Sequence, residues 1–303
     1  MKVLVSWSGG KDSQACLIWA VEKYGAKNIE AVFCDTGWEH EYTYRHVKAI
    51  PEELGVKLVT LKSKKYDGMI GLAKSKGRFP STMARFCTEE LKVKPMIDYV
   101  LSQRDNLLIF QGIRADESKS RSKMSKQCRY FKFYFEPYGY DKKGKPKFHT
   151  YRKKEVIEWC SKYSDDVHRP IFTWGGQQTI SYILDSGLPV NPLYYMDAKR
   201  VGCYPCIMCT KGEIKSIIDH SPERIDIIRE AEEEIKSSLF PPDYIPKRYC
   251  SKIDDKGNKY PTIDDVVRYM QDKYATGDLF AEIEKEEKES SGRRCMSAYS
   301  ICE

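Results

Sequence analysis

The chain has 303 residues, 41% hydrophobic and 31% charged, with a formal net charge of +7 and 11 cysteines. That length holds one large α/β domain, or a core plus a smaller appended unit, since single cores stop growing at about 250–300 residues. The composition excludes a disordered chain, and no apolar run approaches the roughly 18 residues of a membrane-spanning helix.

In chain order, residues 2–7 are a short apolar run that turns polar at Ser6, too soon for the apolar core of a secretory signal, so a cytoplasmic location is expected. Residues 13–24 carry Ala15, Cys16, Leu17, Ile18, Trp19, Ala20 and Val21 without a polar break, the pattern of a buried helix. A strand over 29–34, a helix over 40–54, a strand over 57–61, helices near 68–74 and over 88–102, and a strand over 107–111 follow. This alternation predicts an α/β fold with a doubly wound parallel sheet.

Residues 114–154 concentrate lysine and arginine against few acids, a patch that attracts phosphate or simply a solvated loop. Aromatic residues crowd 130–140, more in the manner of packing than of base stacking, and Lys142-Lys143-Gly144-Lys145-Pro146 has the chemistry of a turn. The stretch reads as an inserted hairpin or lid. Helices are expected over 155–163 and 177–184, flanking a short strand over 169–172. Beyond Gly187 the chain turns to Pro, Tyr and Cys, and a long acidic helix over 221–237 precedes a tail with Cys250, Cys295 and Cys302.

The most informative segment is Val3-Leu4-Val5-Ser6-Trp7-Ser8-Gly9-Gly10-Lys11-Asp12-Ser13. A buried strand, a glycine pair and a helix start stand in the order that cradles phosphate: the glycines let the backbone approach an anion, and the helix amides point at it. The spacing is neither the P-loop nor the dinucleotide fingerprint. It resembles the pyrophosphate loop (PP-loop) of the N-type ATP pyrophosphatases. Asp35-Thr36-Gly37-Trp38-Glu39, the run from Arg85-Phe86-Cys87-Thr88 to Pro95, Gly112-Ile113-Arg114-Ala115-Asp116-Glu117-Ser118, Arg169-Pro170-Ile171-Phe172, Gly187-Leu188-Pro189 and Arg200-Val201-Gly202-Cys203-Tyr204-Pro205-Cys206 follow in series. Together they resemble the phosphoadenylylsulfate (PAPS) reductase family over roughly residues 1–235.

The resemblance implies a Rossmann-like, adenine nucleotide α-hydrolase-like fold. It implies a nucleotide-binding domain over 1–200 with a basic insert at 119–154, and a cysteine-rich helical region over 201–303. The nucleotide-binding residues it implies are Ser6, Ser8, Gly9, Gly10, Lys11, Asp12, Ser13, Asp35, Gly112, Arg114 and Arg121, with Arg114 and Arg121 on anionic oxygens. Lys11, Asp12, Cys87 and Arg114 are the expected catalytic residues, and Mg²⁺ is expected between the phosphates and Asp12 or Asp35.

In a reducing compartment the cysteines point to metal ligation or redox chemistry. Cys203, Cys206 and Cys209 form a C-x2-C-x2-C run able to present three thiolates, to an iron–sulfur cluster such as [4Fe-4S] or to Zn²⁺. Cys295 is the first choice for a fourth ligand, then Cys302, Cys250 or Cys87. Cys87 is a persulfide carrier, a ligand or a plain buried thiol. Cys16, Cys34, Cys128 and Cys160 read as core or incidental, and His40 and His46 as solvated surface residues.

The unaltered Ser-Gly-Gly-Lys-Asp-Ser loop resembles the ATP-using branch of the family rather than its reductases, and the tail departs from the reductase nucleophile motif. The expected activity is ATP-dependent sulfur transfer, in which an acceptor is activated by adenylylation beside a cysteine-ligated metal centre. The alternatives are a PAPS or adenylylsulfate reductase releasing sulfite, and a non-catalytic nucleotide-sensing or nucleic-acid-binding module. The expected partners are an adenine nucleotide and, through the basic insert, a nucleic-acid acceptor; no membrane is expected, and a homo-oligomer is left open.

Overall fold

A computed structural model describes residues 1–255 and 257–290. Its first part alternates β1 (Lys2–Trp7), α1 (Lys11–Tyr24), β2 (Ile29–Cys34), α2 (Glu41–Glu53), β3 (Lys57–Leu61) and α3 (Gly68–Lys76). One helical turn α4 (Phe86–Thr88) and a π-helical stretch (Glu89–Val93) lead into α5 (Lys94–Ser102) and β4 (Leu107–Gln111). The insert supplies β5 (Gln127–Arg129), α6 (Lys132–Phe135) and a hairpin of β6 (Gly139–Tyr140) and β7 (Pro146–Lys147). Then come α7 (Lys153–Cys160), β8 (Asp165–His168) and α8 (Gly176–Asp185). The remaining elements are α9 (Lys211–His220), α10 (Glu223–Ile235), β9 (Lys252–Ile253), β10 (Lys259–Tyr260), α11 (Ile263–Ala275) and α12 (Asp278–Ser290).

The main sheet has six strands in the order β3-β2-β1-β4-β8-β5, all parallel except β5, which runs antiparallel to β8. It is the doubly wound, Rossmann-like sheet expected. Strand periodicity explains how it is buried on both faces. Val3, Val5 and Trp7 of β1 enter one core with Ile29, Phe33 and Phe110, while Leu4 enters the other with Val32, Ile97 and Ile109. Because β1 lies between β2 and β4, the order of winding reverses beside it, and that switch point opens a crevice at the carboxyl ends of the strands.

A third core joins the C-terminal helices to the first part of the chain. Ile214, Ile228 and Tyr269 pack with Trp38, Met69, Leu72 and Leu91, so this cluster crosses residue 200. Within the insert, Tyr130, Phe131 and Tyr134 are buried against the second face of the sheet, whereas Phe135, Tyr138 and Tyr140 are exposed. The aromatic crowding is therefore packing only in part.

The strand expected over 169–172 is displaced: β8 is Asp165–His168, and the chain turns immediately after it, with Phe172 N bonding Arg169 O and Trp174 N bonding Ile171 O. Pro170 has no amide for a ladder. The polar strand survives because buried Asp165 accepts the Phe131 amide at 2.6 Å and Arg129 at 2.8 Å.

The helical block depends on one buried carboxylate. Glu232 of α10 accepts the amides of Leu239 at 2.9 Å and Ile263 at 2.8 Å, one on each oxygen. Glu232→Gln puts an amide donor against one of those amides, and is expected to lower stability to urea by about 1–3 kcal/mol. The exposed neighbour Glu233→Gln serves as the control and is expected to leave it unchanged.

Candidate functional site

The loop between β1 and α1 lies at the switch point. Gly9 has φ +82°, and a Cβ there would stand 2.9 Å from Val47 Cγ2, so both backbone angle and space require glycine. Gly10 caps α1 with no side-chain hydrogen bond, which leaves the first-turn amides to other acceptors. Hydroxyls take one of these and two amides of the loop: Lys11 N donates to Tyr194 OH at 2.9 Å, Ser8 N to Ser13 Oγ at 3.2 Å and Gly10 N to Ser8 Oγ at 3.3 Å. These donors ring the space in the way the oxygens of a phosphate would use them. Lys11 Nζ reaches Lys199 O at 3.4 Å and lies 4.9 Å from the centre of the Tyr194 ring. Asn191 Nδ2 holds Gly9 O at 3.2 Å from behind.

The end of β4 closes on this loop from the other side of the switch point. A Cβ on Gly112 would overlap the Asp12 carbonyl and stand 2.6 Å from Ser13 N, so only glycine permits the approach. Arg114 Nε then bonds Asp12 Oδ1 at 2.5 Å, and its Nη1 bonds Asp116. Arg121 bonds Glu117, and both residues are buried. The two arginines expected on ligand oxygens thus each hold a carboxylate. Arg114 is held charged, since its acidic neighbours outweigh the burial that opposes its charge.

At the end of β2, Asp35 Oδ1 accepts from Gly37 N and from Tyr44 OH, each at 2.9 Å, and Lys62 lies 3.1 Å from its other oxygen. Burial pushes this carboxyl up, but those three donors outweigh it and hold Asp35 below the usual range. Tyr44 OH also donates to Glu39 Oε2 at 2.9 Å. Glu39 organises the turn by accepting Thr36 Oγ1 at 2.6 Å and the Thr36 and Trp38 amides at 3.2 Å. It reaches the cysteine loop as well: Glu39 bridges Cys203 along the backbone, and Cys203 Sγ lies 3.6 Å from Thr36 Oγ1.

Two hollows meet at Ser8, Lys92 and Gly202. One runs beneath the phosphate loop past Ser6, Ser13 and Gly112. The other is walled by Cys87, Cys203 and Cys206 together with Arg85, Lys92 and Arg200. Cys209 is not in that wall; its buried thiol belongs to the third core, and burial pushes it well above the ordinary thiol range. Burial likewise pushes the Cys203 thiol up to about 12. Among the described residues no three of His, Cys, Asp and Glu form a group that could hold a metal ion. Cys295, the first choice for a fourth ligand, and Cys302 lie outside the described residues, and Cys250 is buried in the helical block.

The histidine expectation is overturned. His46 is buried beneath the phosphate loop, with Nε2 2.9 Å from Gln14 Oε1 and its ring centre 6.0 Å from that of Trp7. His40 is half-buried: it caps α2 through Tyr42 N at 3.0 Å and meets Ser221 Oγ at 3.3 Å. Sequence reading also missed Tyr44, Lys92, Tyr194 and Arg224. Tyr44 stands nine positions after Asp35 on the adjoining helix, a local signal; Tyr194 closes the motif that begins at Gly187, but its partner lies 183 residues away, so its role could not be read.

Comparison with known proteins agrees with the order of the motifs. The pattern of the phosphoadenosine phosphosulfate reductase domain matches residues 2–209. The chain is 29% identical over 305 residues to an uncharacterized 37.8 kDa protein in the gpa 5′ region of Escherichia phage 186, covering 83% of this chain and 82% of that one. It is 29% identical over 222 residues to the uncharacterized protein MJ0066 of Methanocaldococcus jannaschii, covering 73% of this chain but 39% of that longer one. Among solved structures it is similar to a phosphoadenylyl-sulfate (PAPS) reductase from Candida auris in complex with phosphate. That similarity has a TM-score of 0.44 and 15% identity, and covers 68% of this chain and 81% of that one. No helix among the described residues is long and apolar enough to cross a membrane.

Two outcomes test this geometry. Gly112→Ala is expected to destabilise the fold by about 1–3 kcal/mol, because the backbone at Asp12 must move; a thermal melt at the wild-type temperature would refute the close approach. His46 titrates at about 4 in the fold, lowered by burial from 6.5. The unfolded chain therefore takes up the proton first. The stability held by neutral His46 is present above pH 6.5 and is lost, by up to about 3 kcal/mol, as pH falls from 6.5 to about 4. Urea midpoints should fall over that interval, and His46→Gln should flatten the fall.

Proposed function

The chain belongs to the phosphoadenosine phosphosulfate reductase domain family, and from that premise we propose that it is an ATP-dependent sulfur-transfer enzyme. A member of that family is a relative of nucleotide-using enzymes of sulfur chemistry. The observation that carries the reading is the contact between the two hollows: an intact phosphate loop and a thiol wall share Ser8, Lys92 and Gly202. Nucleotide activation and sulfur delivery thus have adjoining places.

In the proposed reaction an acceptor oxygen attacks the α-phosphorus of ATP, the bond from that phosphorus to the bridging oxygen breaks, and pyrophosphate leaves. The loop amides and Lys11 bind the departing phosphates, where their charge develops. Asp12 or Asp35 would hold a Mg²⁺ bound with the nucleotide, and the ion would neutralise charge on the phosphates. Arg114 keeps Asp12 in place, so it acts on the reaction through the loop it fixes. A sulfur nucleophile then attacks the activated carbon of the acceptor, and AMP leaves with the electron pair of the broken carbon–oxygen bond. Hydrosulfide as co-substrate gives the thiolated acceptor directly. A Cys87 persulfide instead gives an acceptor–S–S–Cys87 disulfide that a second thiol, Cys203 or Cys206, must cleave, leaving the two cysteines as a disulfide for an external thiol to reduce.

Cys203 and Cys206, with Cys87 in the same wall, offer soft donors suited to an iron–sulfur cluster or zinc. Cys209 and Cys295 are the other thiols of the expected set. Arg85 and Lys92 line the same wall and would favour thiolates there, but the described residues do not gather three such donors into one group, so a complete ligand set would need thiols beyond this wall. When bound, such a group would hold sulfur close to the adenylate. Cys87 is the middle residue of the single helical turn α4 on that wall, and we assign it as the candidate carrier thiol.

The test is pyrophosphate release from ATP, with anaerobic iron, sulfide and zinc analysis of the same preparation. Lys11→Ala is expected to abolish ATP binding in calorimetry and leave the metal in place; retained affinity contradicts the loop assignment. Cys206→Ser is expected to lose metal and keep ATP affinity. Sulfite released from a sulfonucleotide without ATP turnover would make the protein a reductase, and binding without either product would make it a sensing module.

A further inference from the structure

The insert and the ends of β4 and β8 enclose a cleft of about 500 Å³ that the activity above does not use. We infer that this cleft holds the phosphate backbone of a single-stranded nucleic acid, with Arg169 on a phosphate and the exposed aromatics of the insert on its bases. Calling that strand the acceptor rests on the sulfur-transfer reading; the binding site itself does not.

The first argument is an incomplete charge. Arg169 is only 6% exposed, yet its guanidinium bonds Gln111 Oε1 at 3.1 and 2.9 Å, the Ser125 carbonyl, and Cys128 Sγ at 3.5 Å, all neutral acceptors. Arg114 and Arg121, equally buried nearby, each hold a carboxylate. A buried cation is stable when an anion completes it, and the planar fork of arginine matches phosphate. Burial presses on the Arg169 charge and Arg121 adds to that pressure, which an anion in the cleft would relieve.

The second argument is the lining. Lys119, Lys123, Arg129 and Lys132 join Arg169 around the cleft, and none of the described residues lining it is a carboxylate. Arg129 is bonded to Asp165 and Lys132 to Glu136, so the unbalanced charge lies with Lys119, Lys123 and Arg169.

The third argument is what adjoins the lining. The guanidinium of Arg129 lies 5.4 Å from the centre of the Phe135 ring, and Tyr138 and Tyr140 continue from it onto the hairpin. Phe135 is 47%, Tyr138 48% and Tyr140 65% exposed, although the insert buries Tyr130, Phe131 and Tyr134. Cations beside exposed rings suit a chain of phosphates with unpaired bases, because only unpaired bases offer faces for stacking. Gln111 lines the cleft while the next residue, Gly112, lines the hollow beneath the phosphate loop, so the two sites lie on either side of the end of β4.

The experiment is fluorescence anisotropy of the full chain with a labelled single strand of about a dozen nucleotides, within the range of known site sizes, titrated across salt. Wild type is expected to bind with affinity falling as salt rises. The double variant Lys119→Ala/Lys123→Ala is expected to reduce the log–log salt slope by about 1.4, at about 0.7 per phosphate contact. Tyr140→Ala is expected to weaken binding about tenfold. Both variants lie on the surface and should keep wild-type ATP affinity, so they remain informative even if Arg169→Gln fails to fold. Equal binding of duplex, full competition by inorganic phosphate or a mononucleotide at the same phosphate concentration, or a wild-type slope in the double variant would each overturn the inference. Pyrophosphate release measured alongside separates the two claims. Strand binding without turnover sinks the sulfur-transfer reading and leaves the cleft standing; turnover with a small acceptor and no strand binding does the reverse.

Discussion

The buried ion pair of Asp12 and Arg114 is the constraint on which the rest of the site depends. It fastens the first turn of α1 to the segment leaving β4, the two strands' ends that flank the switch point. A buried pair of this kind is costly to break, because either partner alone is an uncompensated charge. Its geometry also requires the bare backbone of Gly112, since any side chain there would push the two segments apart. Asp12 is held by Arg114 and lies 4.0 Å from Lys11, and Asp116 also pairs with Arg114, so the two cations and two carboxylates of this cluster balance.

A second fastening ties the helical block to the same crevice. Arg224 stacks over Trp38 with its guanidinium 4.1 Å from the ring centre and donates to the Trp38 carbonyl at 3.1 Å. Trp38 in turn donates to the Pro205 carbonyl at 3.0 Å and accepts the Tyr204 amide at 2.9 Å. Cys203 and Cys206 therefore take their places from α10 and the end of β2 together. The C-terminal helices are part of the machinery that positions the thiols.

Local chemistry was legible in the sequence, and long-range pairing was not. The phosphate loop could be read because strand, glycines and helix start are consecutive, and the alternation of strands and helices fixed the sheet type. The helices over 211–220 and 263–275 went unread although each carries its own signal: Thr210 with Glu213, and Thr262 with Asp265, form reciprocal caps. Apolar Ile171 and Phe172 suggested a strand, while the real one contains two aspartates and is stable only through the partners of Asp165. The cysteine spacing was plain, but which way Cys209 turns depends on the packing of the third core. The neutral surroundings of Arg169 and the burial of His46 arise from partners 32 to 58 residues away along the chain, beyond any local pattern.

The antiparallel strand β5 has a consequence for how the protein behaves in a crowded solution. An open sheet ends in two rows of unpaired amides and carbonyls, which invite other strands to add on. Here the chain folds back to cover β8 with only three residues, two of them the polar, exposed Gln127 and Arg129. At the opposite edge, β3 carries exposed Lys57, tied to Glu30 of the neighbouring strand. Both borders of the main sheet are thus short or charged, which disfavours self-association by strand addition.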